Sequence, residues 1–206
     1  WLIFLDMVHN LMPTFEQKAE ALHWFPMFRT WFGLCGLCKL PWNDIVPEDN
    51  KDTDDPAKVI KHVEWYAQYF TAVTGRTVTP DDLITMSETV YNFQRIFNLK
   101  MGFGRREHDH IPYRAMGPVT VEEYESRRER YDEQLVGENV DITGKSSREK
   151  VALLRRFRQQ QYEKLQDAVY KRRGWTQEGI PSVETVKRLG IDFPEVMDLL
   201  NSHEVE

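Results

Sequence analysis

Cysteine is nearly absent from this sequence: 206 residues hold two, Cys35 and Cys38. Two thiols three positions apart make no disulfide framework, so a reducing, cytoplasmic setting is the default expectation. Long apolar runs are missing too. The opening stretch Trp1-Leu2-Ile3-Phe4-Leu5 stops at Asp6, far short of the roughly 20 residues that cross a bilayer. No basic segment precedes it, so neither a secretory signal nor a membrane partner is expected. Positive charge is not in excess either. The 27 Lys and Arg against 33 Asp and Glu give a net charge of −6, which argues against nucleic acid as the main partner. Low-complexity tracts and internal repeats are lacking. The chain opens on Trp1 rather than Met, and we expect it to be a portion of a longer polypeptide, its first apolar residues packing against what precedes them.

What is present is an ordinary globular composition, 41% hydrophobic and 29% charged, with apolar residues at helical spacing almost throughout. Asp55-Pro56 reads as a helix start, and the stretch through Val59, Val63, Tyr66, Ala67 and Phe70 ends at Gly75. Thr79-Pro80-Asp81-Asp82 opens the next helix in capping-box style, with Leu83, Met86, Val90, Phe93, Ile96 and Phe97 inward. Asn98 to Pro118 reads as a loop, and Val121 to Leu135 as one charged, exposed helix. Ser146-Ser147-Arg148-Glu149 is a second capping box, opening a long helix to about Arg173, and two short helices follow on either side of Gly190. The expected fold is all-α: an irregular multi-helix domain with long loops. Residues 1–45 form an apolar helical segment carrying the cysteine motif. Residues 46–206 form a C-terminal helical domain that opens on a disordered or extended connection around Val46–Asp54. The basic residues Arg148, Lys150, Arg155, Arg156 and Arg158 read as a solvated helix face beside Glu149, Glu163 and Asp167.

The segment Thr30-Trp31-Phe32-Gly33-Leu34-Cys35-Gly36-Leu37-Cys38-Lys39-Leu40-Pro41-Trp42 stands apart. A C-x-x-C pair fits a dithiol redox centre, though such centres sit at helix N-termini in βαβ settings, and none is legible here. Structural zinc needs four ligands, and His9 and His23 lack the spacing. An iron–sulfur cluster takes four thiolates, so two of its ligands at least would come from elsewhere. From the spacing alone, two buried thiols acting as small hydrophobes are the favoured reading. In the loop Arg105–Arg114, arginines paired with carboxylates between helices are expected, with His108 and His110 a surface pair beside Asp109.

Four stretches, in order, carry a resemblance. Gly36-Leu37-Cys38-Lys39-Leu40 resembles the late glycine–leucine–cysteine–lysine–phenylalanine motif of the aldehyde:ferredoxin oxidoreductase family. Glu88-Thr89-Val90-Tyr91-Asn92-Phe93-Gln94-Arg95-Ile96-Phe97-Asn98 is similar to the helix that follows it in the family. Gly102-Phe103-Gly104-Arg105-Arg106, Asp109 and Ile111-Pro112-Tyr113-Arg114 resemble the next loop. Tyr170, Arg173-Gly174-Trp175, Gly179-Ile180-Pro181 and Leu189-Gly190-Ile191 resemble the family's ending. The resemblance runs over about residues 30 to 195.

It implies the C-terminal part of an enzyme that oxidises aldehydes to carboxylic acids. Such enzymes use a tungsten bis-pyranopterin and a [4Fe–4S] cluster and pass electrons to ferredoxin or an electron-transfer subunit. By that resemblance Cys38 is the fourth cluster ligand, and Gly36, Leu37 and Lys39 lie against a pterin; Cys35 is the alternative ligand. The three other cysteines, and both cofactors' remaining contacts, would come from the rest of the polypeptide, so the portion seen here is not expected to act alone. No catalytic residue is assigned. The family's aspartate three residues before the glycine has no counterpart, the position being Gly33 or, in the Cys35 frame, Thr30. Two other readings remain: a benzoyl-CoA-reductase-like subunit of the same superfamily, and a helical interaction module without cofactor.

Overall fold

The computed structural model describes residues 15–37 and 61–204. Among them there is no strand, only an isolated bridge between Trp175 and Pro181, and the all-α expectation holds. Helix α1 spans Phe15–Leu34, α2 Lys61–Thr74, α3 Pro80–Lys100 and α4 Val121–Glu125. Then come α5 Arg128–Gly137, α6 Ser147–Arg173, α7 Val183–Arg188 and α8 Pro194–Glu204. Two short 3-10 turns, Arg106–Asp109 and Tyr113–Met116, separate α3 from α4. The helix start at Asp55-Pro56, the connection 46–54 and a division near residue 45 lie outside the described residues. So do Cys38 and Lys39.

The starts of α3 and α6 follow from their first residues. Thr79 Oγ1 accepts from the Asp82 amide at 3.2 Å while the Asp82 carboxylate accepts from the Thr79 amide at 2.8 Å. The Glu149 carboxylate accepts the Ser146 amide at 2.8 Å, and Ser146 Oγ accepts the Glu149 amide at 3.4 Å. Each box satisfies donors that a helix leaves orphaned at its N-terminus.

The chain forms two compact units. The first comprises Trp1–His108 and Ala168–Glu206. In it α1 and α2 each pack on α3. One apolar cluster joins Trp31 and Phe32 of α1 to Ala67, Val78 and Leu83. A second joins Ile96 and Leu99 of α3 to Ile180, Val186, Leu189, Ile191, Val196 and Leu200. The inward face of α3 differs from the expected one. Phe93 and Phe97 are exposed, and Leu83, Ser87, Asn92, Ile96 and Leu99 are buried. Asn92 takes the interior because its amide is satisfied: Nδ2 donates to the Glu88 carbonyl at 2.9 Å, and Oδ1 accepts the Trp175 indole N–H at 2.7 Å.

The second unit is Asp109–Asp167. The single exposed helix expected over Val121–Leu135 is two helices, broken at Ser126 and Arg127. Most of the stretch is exposed, as expected, but one face carries this unit's core: Tyr124, Tyr131 and Leu135 pack with Leu154 of α6. The expected solvated basic face of α6 is also partly turned inward. Lys150 is buried and its ammonium meets Asp132 at 2.9 Å, which also accepts from Tyr124 Oη at 2.6 Å. Arg155 donates to the carbonyls of Gly117 and Pro118 at 3.1 Å and stacks over Tyr113. Arg158 donates to Gln134 at 2.7 Å. Lys150, Arg155 and Arg158 thus tie α6 to the chain that loops over it.

Candidate functional site

The cysteine motif begins where α1 stops. The Leu37 amide donates to the Phe32 carbonyl at 2.9 Å, and the Gly36 amide to the Gly33 carbonyl at 3.3 Å. This pair of bonds closes a helix with a left-handed residue after its last turn, here Gly36 at φ +67°. An L side chain is strained at that φ, so the glycine is required by the turn. Among the described residues nothing lies within 4 Å of where its Cβ would be.

The turn is sided. Trp31 and Phe32 are buried beneath it, in ring contact with Tyr66 at 4.7 and 5.4 Å. Cys35 packs half-buried on the same cluster, while Leu34 and Leu37 face solvent at 53% and 40% exposure. Burial pushes the Cys35 thiol up. It also sits at a helix C-terminus, the negative end of the helix dipole, which disfavours a thiolate. A low-pKa redox thiol needs the opposite placement, so the dithiol reading of the motif finds no support at Cys35. Among the described residues no three His, Cys, Asp or Glu side chains converge as a metal site. The thiol of Cys35 is therefore at most one ligand of a centre completed elsewhere. Leu34, Gly36 and Leu37 thus form an exposed, largely apolar edge of the turn.

Residues 88–98, 102–106, 170–181 and 189–191 belong to the first unit, where several of them make a packing knot. Trp175 is buried, with its indole N–H on Asn92, Tyr91 stacked on it at 6.0 Å and Arg95 over its ring at 4.8 Å. Arg95 Nε donates to the Gly179 carbonyl at 2.9 Å. A Cβ at Gly179 would lie 2.6 Å from Arg95 Nη2 and 2.8 Å from the Tyr170 hydroxyl, so the chain passes this close only without a side chain. The Arg106 guanidinium donates to the Gln177 carbonyl at 3.0 Å. Arg188 pairs with Glu88 at 2.5 Å. In the loop Arg105–Arg114, Arg114 pairs with Glu123, as expected, whereas Arg105 meets His203 at 2.5 Å. His108 accepts the Arg105 amide at 3.3 Å and lies edge-on to Phe103.

A contact that sequence reasoning passed over lies at the middle of α1. Pro26 stands inside the helix. Having no N–H, it leaves the Leu22 carbonyl without its helical donor. Arg173, from the last turn of α6, supplies one at 3.1 Å. The interior proline is the sign in the sequence that some outside group must meet that oxygen.

No described helix is long and apolar enough to cross a membrane. Comparison with curated proteins gives no match, and comparison with solved structures gives none. The family described as aldehyde ferredoxin oxidoreductase, domains 2 & 3, matches residues 1–191. That match takes in the cysteine turn, the buried Trp175 knot and the second unit together, and by it the chain belongs to the aldehyde ferredoxin oxidoreductase family.

Proposed function

We propose that this chain is the C-terminal part of an oxidoreductase that converts aldehydes to carboxylic acids and passes electrons to ferredoxin or an electron-transfer subunit. The observation that carries the reading is the family match across residues 1–191, in which the motif Gly36-Leu37-Cys38-Lys39 follows directly on a rigid helix end. When bound, a tungsten bis-pyranopterin beside a [4Fe–4S] cluster supplies the two-electron chemistry and the outlet for single electrons.

The residues of this chain have narrower work. Cys38 would hold one iron as a thiolate. Gly36 and Leu37 would offer an apolar edge to the pterin, with Lys39 next in the motif. Trp31 and Phe32 keep water from the floor of the turn, which lowers the local dielectric around the cluster and helps set its potential. The remaining cluster ligands and the groups that handle the aldehyde belong to the rest of the enzyme.

Replacing Cys38 by Ser in the intact enzyme is expected to remove or convert the cluster, read as lost visible absorbance and fewer than four irons per chain. Unchanged iron content with Cys38→Ser, alongside loss with Cys35→Ser, would move the ligand to Cys35. No effect from either would sink the reading and leave a helical interaction module. An intact enzyme that reduces an aromatic thioester and leaves aldehydes untouched would favour the benzoyl-CoA-reductase-like alternative.

A further inference from the structure

The two halves of α1 are anchored differently. Its first half is held by directional, charged contacts. Arg172 pairs with Glu16 and, at 3.0 Å, with Glu20, while Trp24 donates to Glu20 at 2.6 Å. Its second half is held by apolar packing of Trp31, Phe32 and Cys35 on α2 and α3. Apolar packing is nondirectional, so by itself it leaves the rotation and slide of a helix loosely set. Between the halves stands Pro26, with the Leu22 carbonyl it leaves open.

Arg173 fills that opening and is itself fixed. It is buried, and its guanidinium lies 5.0 Å from the ring of Tyr91 and 4.9 Å from that of Trp175. The Tyr91–Trp175 pair is in turn locked by Asn92. A rigid arginine thus reaches the one carbonyl of α1 that a proline has freed.

We propose that Pro26 and Arg173 form a latch that sets the register of α1 and so positions the cysteine turn at its C-terminal end. Arg173 is then a positioning residue for that turn, although some 140 residues separate them in sequence. The consequence for a cluster rests on the function proposed above; the latch itself does not.

The test is a double-substitution cycle. Pro26→Ala returns an N–H to the Leu22 carbonyl, making the arginine dispensable. Arg173→Gln removes the charge and shortens the side chain by two bonds, withdrawing the guanidinium from the Leu22 carbonyl while the proline stays. In the 206-residue chain carrying Cys38→Ser, a disulfide reagent reports on Cys35 alone under native conditions. Arg173→Gln is expected to speed labelling by about tenfold or more, the factor set by one lost hydrogen bond to a charged group. Pro26→Ala with Arg173→Gln is expected to label within about twofold of the starting chain, inside ordinary additivity error. Val186→Ala, in the other apolar cluster of this unit, serves as a control of comparable stability loss and should leave Cys35 labelling unchanged. If Arg173→Gln fails to fold, Arg173→Lys, which keeps the charge with fewer donors, should show the same trend at smaller amplitude. Labelling equal to that of Val186→Ala, or no rescue by Pro26→Ala, overturns the latch. In the intact enzyme, the electron paramagnetic resonance spectrum of the reduced cluster should change with Arg173→Gln and return with the double substitution. Iron present with an unaltered spectrum removes the link to the cluster. Absence of iron removes the proposed function, and the labelling cycle still decides the latch.

Discussion

His23 shows how little room a side chain has once its surroundings are settled. Its ring lies edge-on to Trp24 at 5.0 Å, and Nδ1 is buried with no hydrogen-bond partner. Burial lowers its pKa, and so do Arg173 and, more weakly, Arg172; Glu20 and Glu88 pull the other way without reversing the result. The folded protein therefore binds a proton here less readily than the unfolded chain does. Stability from this group is complete above about pH 6.5, the unfolded value, and is lost as pH falls through the lower folded value. His23→Gln is expected to flatten the pH dependence of the urea midpoint between pH 7 and 5. An unchanged slope in that window would show that His23 is not the group titrating. Glu20 acts at lower pH. Burial raises its pKa, but bonds from Trp24 and Arg172 more than offset this and the net shift is downward. Its contribution is present above the ordinary carboxylate range and lost in stronger acid, which keeps the two windows apart.

At the scale of elements, turns and caps hold the first unit together by short relays. Ser182 accepts the Thr185 amide at 3.2 Å and donates to Thr185 Oγ1 at 3.0 Å. Thr185 passes the chain on to the Gly174 carbonyl at 2.9 Å, so the cap of α7 and the end of α6 share one hydrogen-bonded line. Ser182→Ala is expected to cost about 1 kcal/mol, the usual loss for an N-cap, seen as a lower urea midpoint with an unchanged slope. A neutral result would mean that water replaces the hydroxyl at no cost. Caps and helix ends were legible in the sequence because they depend on residues close along the chain: Thr79 with Asp82, Ser146 with Glu149, the stop at Gly75. Buried faces were less so. The spacing put Phe93 and Phe97 inward on α3, where Asn92 and Ser87 lie instead, since the choice belonged to a tryptophan 83 positions away.

At the scale of the whole molecule, the described surface keeps several large apolar side chains in water. Tyr69 and Val73 on α2 and Phe97, Met101 and Phe103 at the end of α3 are all more than half exposed. Exposed apolar side chains of this size can bind hydrophobic probes. The chain by itself is expected to enhance the fluorescence of an anilinonaphthalene dye under native conditions, and Phe97→Glu to reduce the enhancement. A chain that leaves the dye dark would show that this surface is covered.

The sequence alone carried the helical class, the caps and the motif order that marks the family, because each rests on local spacing or on residue identity along the chain. It also singled out the cysteine turn, whose geometry follows from a glycine after an apolar helix. Only the tertiary structure decided what the remaining motif residues are for. Arg95, Tyr170, Arg173, Trp175 and Gly179 gather into one knot because a guanidinium, an indole N–H and a bare glycine backbone satisfy one another at distances that no linear pattern encodes. Pro26 makes the same point from the other side: its position in the sequence announces an open carbonyl, and folding chooses which donor closes it.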